Sequence, residues 1–342
     1  MDVELTYRQS EILRRVVEGY VATGQPVGSK HLVERGSLGV SSSTVRHELA
    51  ELEAVGLLTH PHTSAGRLPT DRGYRVYVNA LLERLDPRPA AFPLDLTTVR
   101  SEVEAALQAT TEMLSQLTRR LALVSAPPLG TTSVRHVEVL LLQPQVVVVV
   151  VITSTGGVTK RVVTFQEPVD SGLAKWAAEY LNERVAGLQL GTHMLRQRFE
   201  DPALSPAERG FLATLRPAFT EALGDERLYV GGAASLLEGF RADELGAYGR
   251  LLETLEKRAA LLELLRRALE PGRTFVRVGA ELAHPGLRAV ALVGAPYGPA
   301  HRPLGAVSLL GPLRMDYDLA IRSVRAAAHE LSRFIAEVYE DN

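Results

Sequence analysis

Apolar residues recur at helical spacing through the first 86 residues of the chain. Over Thr6 to Gly24, Ile12, Leu13, Val16, Val17, Tyr20 and Val21 form one stripe. Arg8, Glu11, Arg14, Arg15 and Glu18 fall elsewhere on the wheel, which predicts an amphipathic helix. Gly24, followed by Pro26, stops it. VGSKHLVERG predicts a short second helix with Ser29 as N-cap and Gly36 as C-terminal stop. In SLGVSSSTVRHELAELEAVGLL, Val45, Leu49, Leu52 and Val55 share a face, while Ser43, Thr44, Arg46, His47 and Ala50 point away from it. The serine run supplies the N-cap of this third helix and Gly56 its exit. LLTHPH then reads as a short strand, TSAG as a turn and RLPT as the way back to a helix starting at Asp71, with Tyr74, Val76, Tyr77, Val78 and Leu81 available for packing.

The pattern changes after Asp86. DPRPAAFPLD has three prolines and no periodicity, and reads as a linker. Thr97 to Val124 reads as one long helix in which Val103, Leu107, Leu114, Leu117, Leu121 and Val124 repeat at near-heptad spacing. Such a stripe packs either on its own domain or against another chain. RHVEVLLLQPQVVVVVVITSTGGVTKRVVTF holds three β-branched runs joined at Gln143-Pro144 and at Thr155-Gly156-Gly157. Its unbroken valines predict a strand buried on both faces, and the Gly-Gly a hairpin. LRAVALVGAPYG and PLGAVSLLGPL predict a second hairpin of the same sheet, followed from Asp316 by a last helix with Val324, Ala328, Leu331, Ile335 and Val338 on one face. Between Gly187 and Ala268 the strand signal fades. EDPALSP interrupts the chain there, LYVGGAASLL is the one strand-like piece, and leucine-rich helices appear over Phe211 to Leu223 and at Leu251, Leu252, Leu255, Leu262, Leu265 and Leu269. This predicts a helical insert, either self-contained or carrying an association surface. The fold class is multidomain α+β.

Composition narrows the function. A chain of 342 residues, 46% hydrophobic, has material for two or three domains. Zero cysteines exclude disulfides, cysteine nucleophiles and thiolate metal sites. No basic-then-apolar leader opens the sequence, and its longest apolar run, Val146 to Ile152, is strand-sized. The expectation is a soluble cytoplasmic protein. Net charge is -2, and Met1 to Asp86 holds 10 Lys/Arg against 11 Asp/Glu, so a nucleic-acid surface there depends on where the charges sit.

Two short helices around a glycine-containing turn, the second small and polar at its outward start, describe a helix-turn-helix. Small side chains let such a helix sink into a major groove; Arg46 and His47 are long enough to reach base edges. The competing reading is a plain helical core element with a solvated face. HTSAGRLPTDRGYR, with three arginines in 14 residues, favours the first, because helix, strand, glycine turn and strand is the layout of a winged helix. A wing bearing Arg67 is suited to a minor groove or to phosphate, and Arg72 and Arg75 add cations to the next helix. The candidate DNA-binding residues are therefore Ser41, Ser42, Ser43, Thr44, Arg46, His47, His62, Thr63, Ser64, Arg67, Arg72 and Arg75. His60 and His62 offer half of a metal site, but histidines beside such a wing touch phosphate or solvent at least as readily. No phosphate-binding loop, nucleophile elbow or dinucleotide fingerprint occurs, and HELSR at His329 lacks the second histidine of a zinc-protease motif. No enzyme, cofactor or metal is expected.

PVGSKHL, LGVSSSTVRHELAELEAVGLL, PHTSAGRLPTDRGYRVYV and LLGPLRMDY together resemble the HrcA family of heat-inducible transcription repressors of bacterial chaperone operons. The resemblance implies a winged helix-turn-helix over 1–86, a linker over 87–96, a GAF-like domain in two parts, 97–187 and 265–342, and a dimerisation insert over 188–264. It also implies a homodimer on the inverted-repeat CIRCE operator, kept active by a chaperonin of the GroEL type. One departure is His47, where the family commonly has Asn, so an Asn-type bidentate contact to adenine is absent. The alternative function is a small-molecule-responsive winged-helix regulator that uses the split domain as its sensor.

Overall fold

The computed structural model describes residues 4–340 except 35–38, 63–65, 87, 95, 97–102, 128–132, 155–156, 221–226, 235–245, 247–248, 250, 252, 255–257, 269–272 and 300–302. The chain begins with α1 (Tyr7–Thr23), α2 (Ser29–Glu34) and α3 (Ser42–Ala54), then β1 (Leu58–Thr59), β2 (Leu68–Pro69) and α4 (Asp71–Arg84). Local chemistry sets these ends. Thr6 caps α1 by accepting from the Gln9 N–H at 3.2 Å, while the Gln9 side chain accepts from the Thr6 N–H at 3.0 Å. Gly24 closes α1 at φ 64, a conformation that costs glycine little. Ser29 opens α2 as its first residue rather than preceding it as a cap, and the expected stop at Gly36 lies outside the described residues. Ile12, Leu13, Val16 and Val17 meet Val45, Leu49, Leu52, Leu57 and Val78 in one buried cluster. Val55 does not join them: it is the C-cap of α3 and 39% exposed.

A five-stranded antiparallel sheet forms the centre of the molecule, in the order β7-β3-β10-β9-β8. Its strands are β3 (Leu121–Ser125), β7 (Leu228–Gly231), β8 (Phe275–Val278), β9 (Val290–Tyr297) and β10 (Gly305–Pro312). Alternation along them sends Ala122, Val124, Val307 and Leu309 to one face, where α5 (Val103–Thr118) and α11 (Tyr317–Glu340) cover them. Leu121, Leu123, Ala306 and Leu310 go to the other face, beneath Leu261, Leu264 and Leu265 of α10 (Arg258–Ala268). β10 is buried along its whole length.

The valine-rich strands form a separate sheet. β4 (Val134–Gln143), β5 (Val146–Thr153) and β6 (Val158–Thr164) make an antiparallel meander. One face packs on α6 (Ser171–Arg184), α7 (His193–Phe199), α8 (Pro206–Leu215) and α9 (Pro217–Thr220). Val137, Val139, Val147, Val149 and Val151 share that core with Leu181, Phe199, Phe211, Leu212 and Phe219.

Five sequence expectations are corrected here, the last of them in part. The helix expected over Thr97 to Val124 is described from Val103 and ends at Thr118, with Arg119 at φ 51 turning the chain into β3. Leu121 and Val124 therefore extend the stripe only by coincidence of spacing. The hairpin of β9 and β10 belongs to a different sheet from β5, and LYVGGAASLL supplies an edge strand of the central sheet rather than a piece of an insert. The separate core runs from Val134 to Phe219, not over 188–264, and the leucines at 251, 261, 264 and 265 are consumed in covering the central sheet. β5 is buried on its inner face and only partly covered on the outer one, where Val148 is buried but Val150 and Ile152 are half-buried, and the flanking strands expose Leu140, Leu142, Val158 and Val162 beside Glu138 and Lys160.

The proline-rich segment is not a slack tether. Leu96 is fully buried, and Phe92 and Leu94 pack against the same core. Helix α4 is held directly on the central sheet. Asp71 accepts from the Ala280 N–H at 3.1 Å, Arg75 donates to Glu281 at 2.7 Å and to the Val276 carbonyl at 2.7 Å, and Tyr74 lies 5.8 Å from Tyr317.

Candidate nucleic-acid interface

The start of α3 is built from hydroxyls. Ser41 caps the helix, accepting from the Thr44 N–H at 3.2 Å, and its oxygen also meets the hydroxyls of Ser43 at 2.7 Å and Thr44 at 3.0 Å. Ser42 points the other way, donating to the Ser29 hydroxyl at 3.2 Å and so tying α3 to α2. Further along, Val45, Leu49 and Leu52 are buried while Ser43, Arg46, His47 and Ala50 are exposed. Arg46 has no hydrogen bond or ion pair among the described residues. His47 meets Glu51 at 3.2 Å, and Glu51 also accepts from the Gln9 amide at 2.8 Å, so the acid on this face has two partners of its own.

The stretch from His62 to Arg75 behaves differently from its sequence reading. His62 is exposed; Thr63 and Ser64 lie outside the described residues. Arg67 is not presented at a tip: it pairs with Glu53 at 2.8 Å, its side chain is only 20% exposed, and its backbone bridges Val27 through bonds of 2.9 and 2.8 Å. Glu53 also meets His60, which draws that histidine off the surface as well. Arg72 is exposed and donates to the Val55 carbonyl at 3.1 Å. Arg75 is spent on Glu281 and Val276, far from α3's outward face in role and environment. Burial alone raises the Glu281 carboxyl, but hydrogen bonds from Arg75 and the Val278 N–H outweigh it and leave the group below its ordinary value.

The remaining residues of the stretch are structural too. A Cβ on Gly66 would meet the Pro26 backbone at 2.6 Å, and one on Gly73 would meet the Leu57 carbonyl at 2.1 Å. Thr70 caps α4 by accepting from the Gly73 N–H at 3.1 Å and donates to the Gly56 carbonyl at 2.8 Å. Sequence reasoning missed Glu53, whose partners lie 7 and 14 positions away, just after β1 and just before β2, and Lys30, exposed on α2 and without a partner among the described residues. Pairing acids with later cations across the turn was the signal available for Glu53.

A family model described as the HrcA protein C terminal domain matches residues 104–321. The heat-inducible transcription repressor HrcA of Streptomyces avermitilis is 38% identical over 343 residues, covering 97% of this chain and 99% of that protein. The chain belongs to the HrcA family. The HrcA repressor of Acidothermus cellulolyticus is 37% identical over 346 residues, again across 97% of this chain. These relatives are transcription repressors, not enzymes. A crystal structure described only as a hypothetical protein shares the fold at a TM-score of 0.63, with 24% identity over 98% of each chain. In this HrcA-family chain, among the described residues, no helix is long and apolar enough to cross a membrane, and no group of three His, Asp or Glu is placed to hold a metal ion.

Proposed function

We propose that residues 1–86 are a winged helix-turn-helix through which the chain represses transcription by binding duplex DNA, with α3 in the major groove. One observation carries this reading: α3 buries Val45, Leu49 and Leu52 and turns outward a row of small hydroxyls followed by an Arg46 unpaired among the described residues and a mostly exposed His47. Ser41, Ser43 and Thr44 suit phosphate or base contact at the helix start, and Arg46 suits a guanine edge. Ser42 serves the module's own packing. His62, Thr63 and Ser64 remain the residues of the β1–β2 connection proposed to meet the flanking backbone, and Arg72 keeps an accessory role. Arg67 and Arg75 are withdrawn from the interface, because their cations are occupied within the chain.

Carried from the family, the operator is the inverted-repeat CIRCE element before chaperone genes, read by a homodimer whose two-fold axis matches that of the site. A chaperonin of the GroEL type keeps the repressor folded, and heat relieves repression by occupying the chaperonin. The central sheet with α5 and α11 is the GAF-like domain of this scheme. The outer face of β4 to β6 replaces the leucine-rich helices as the surface proposed for pairing of protomers, since exposed Leu140 and Val162 flank buried Val148 across the three strands and invite cover. Footprinting of purified protein on a promoter fragment containing the inverted repeat tests the reading: protection of both half-sites supports it, and equal binding to a scrambled fragment overturns it.

A further inference from the structure

A second site lies away from α3, in a cleft of about 740 Å³ where the C-terminal end of α4, the proline-rich segment, β9 and α11 come together. That volume is ordinary for a small-molecule pocket. One wall is a single face of α11: Arg325, Ala328, His329 and Ser332 follow one another at helical spacing into the cleft, while Val324, Ala327 and Leu331 of the same helix face the core. The half zinc motif of the sequence thus has a place, with His329 and Ser332 on the cleft and no second histidine among its described lining residues. Opposite stand Leu82 and Glu83 of α4, and prolines 89, 296, 299 and 303 supply apolar surface.

The charge of the cleft is unbalanced. Arg325 is half-buried, and its bonds go to neutral oxygens, the Thr274 hydroxyl at 2.9 Å and the Asp86 carbonyl at 3.3 Å. Among the described residues no carboxylate pairs with it. Burial, and secondarily the neighbouring Arg322, lowers its pKa, the response of a cation lacking a counter-charge. Arg273, also on the cleft, has no hydrogen bond or ion pair among the described residues, nor has His329; Glu83 is the one acid among the lining residues. A partly desolvated guanidinium without an acid is a cost that an arriving anion offsets, and a planar guanidinium is well shaped for carboxylate or phosphate. Ser332 adds no free donor, because its oxygen accepts from the Gly298 N–H at 2.9 Å and its hydroxyl donates to the Ala328 carbonyl at 2.6 Å.

We propose that this cleft binds a small organic anion, its carboxylate or phosphate held by Arg325 and Arg273 beside His329, and its apolar body laid on Leu82 and the prolines. A ligand there touches α4 of the DNA-facing module, the connecting segment and the central-sheet module at once. It therefore favours the docked arrangement of the two over any other. The inference goes beyond the DNA-binding reading and does not rest on it.

Calorimetric titration of the full chain with phenyl phosphate and with benzoate, against neutral benzyl alcohol, tests the site. Saturable 1:1 binding of at least one anion, absent for benzyl alcohol, is the expected result, and the better anion identifies the head group. Arg325→Gln is expected to weaken that binding tenfold or more, and Glu83→Gln to tighten it severalfold. Since Arg325 also braces the fold, exposed Arg273→Gln provides a second variant, expected to weaken binding with its melting temperature unchanged. No saturable binding of either anion, or equal binding by the wild type and both arginine variants, overturns the proposal.

Discussion

The fate of single residues in HTSAGRLPTDRGYR separates what a string of letters advertises from what its atoms do. Gly66 and Gly73 are required by backbones that pass too close for a Cβ, Thr70 by the start of α4, and Arg67 and Arg75 by acids within the chain. Positive charge was legible in the sequence; its neutralisation by Glu53 and Glu281 was not, because those partners come from other elements, one of them 206 positions away. On α3 the opposite holds, since helical periodicity alone separates buried Val45, Leu49 and Leu52 from exposed Arg46 and His47. Two outcomes follow. Arg46→Ala is expected to lower operator affinity by about 1–3 kcal/mol with a smaller loss on random DNA, measured by competition binding. Arg67→Ala is expected to leave the salt dependence of DNA binding unchanged while lowering stability to denaturant by about 1–2 kcal/mol, because it leaves the partly buried Glu53 with His60 as its remaining ion-pair partner among the described residues.

Among the described elements, α4 matters most, because it belongs to the α3 module and docks on the central sheet. Its docking rests on Asp71 against the Ala280 N–H and on Arg75 against Glu281. A double-mutant cycle with Arg75→Ala and Glu281→Ala is expected to give a coupling of about 0.5–3 kcal/mol in chemical denaturation. Acid should undo part of the architecture as well. Glu11 on α1 is held at about 2, down from 4.5, chiefly by its hydrogen bond from Arg14, with burial opposing and Arg15 assisting. A carboxylate lowered on folding stabilises above its unfolded pKa and loses that contribution as pH falls through the folded one. Melting temperature is therefore expected to drop between about pH 4.5 and 2, with a shallower drop in Glu11→Gln. Helix identities were largely legible, because caps at Thr6, Ser41 and Thr70 are local chemistry. The break between α5 and β3 was not: Leu117, Leu121 and Val124 keep a helical interval, and only the pairing of β3 with strands from elsewhere in the chain overrides it.

On the scale of the whole molecule, the sequence indicated α+β layers and strand-forming runs but assigned them to the wrong sheets. Valine content identifies a strand without naming its neighbours, and sheet membership is decided by which faces remain to be covered. The outer face of β4 to β6 carries a testable consequence for the proposed homodimer: Leu140→Lys with Val162→Lys is expected to raise the dimer dissociation constant at least a hundredfold in sedimentation equilibrium, with the protomer still folded. The central sheet carries another, set by the order in which it is made. Leu121 pairs with Leu310, so β3 leaves the ribosome roughly 190 residues before its principal neighbour exists. At typical translation speeds of about 5–20 residues per second, β3, apolar but for Ser125, waits roughly 10–40 seconds for β10, with the edge strand β7 made in the interval. A central sheet finished that late fits the chaperonin dependence proposed for this chain.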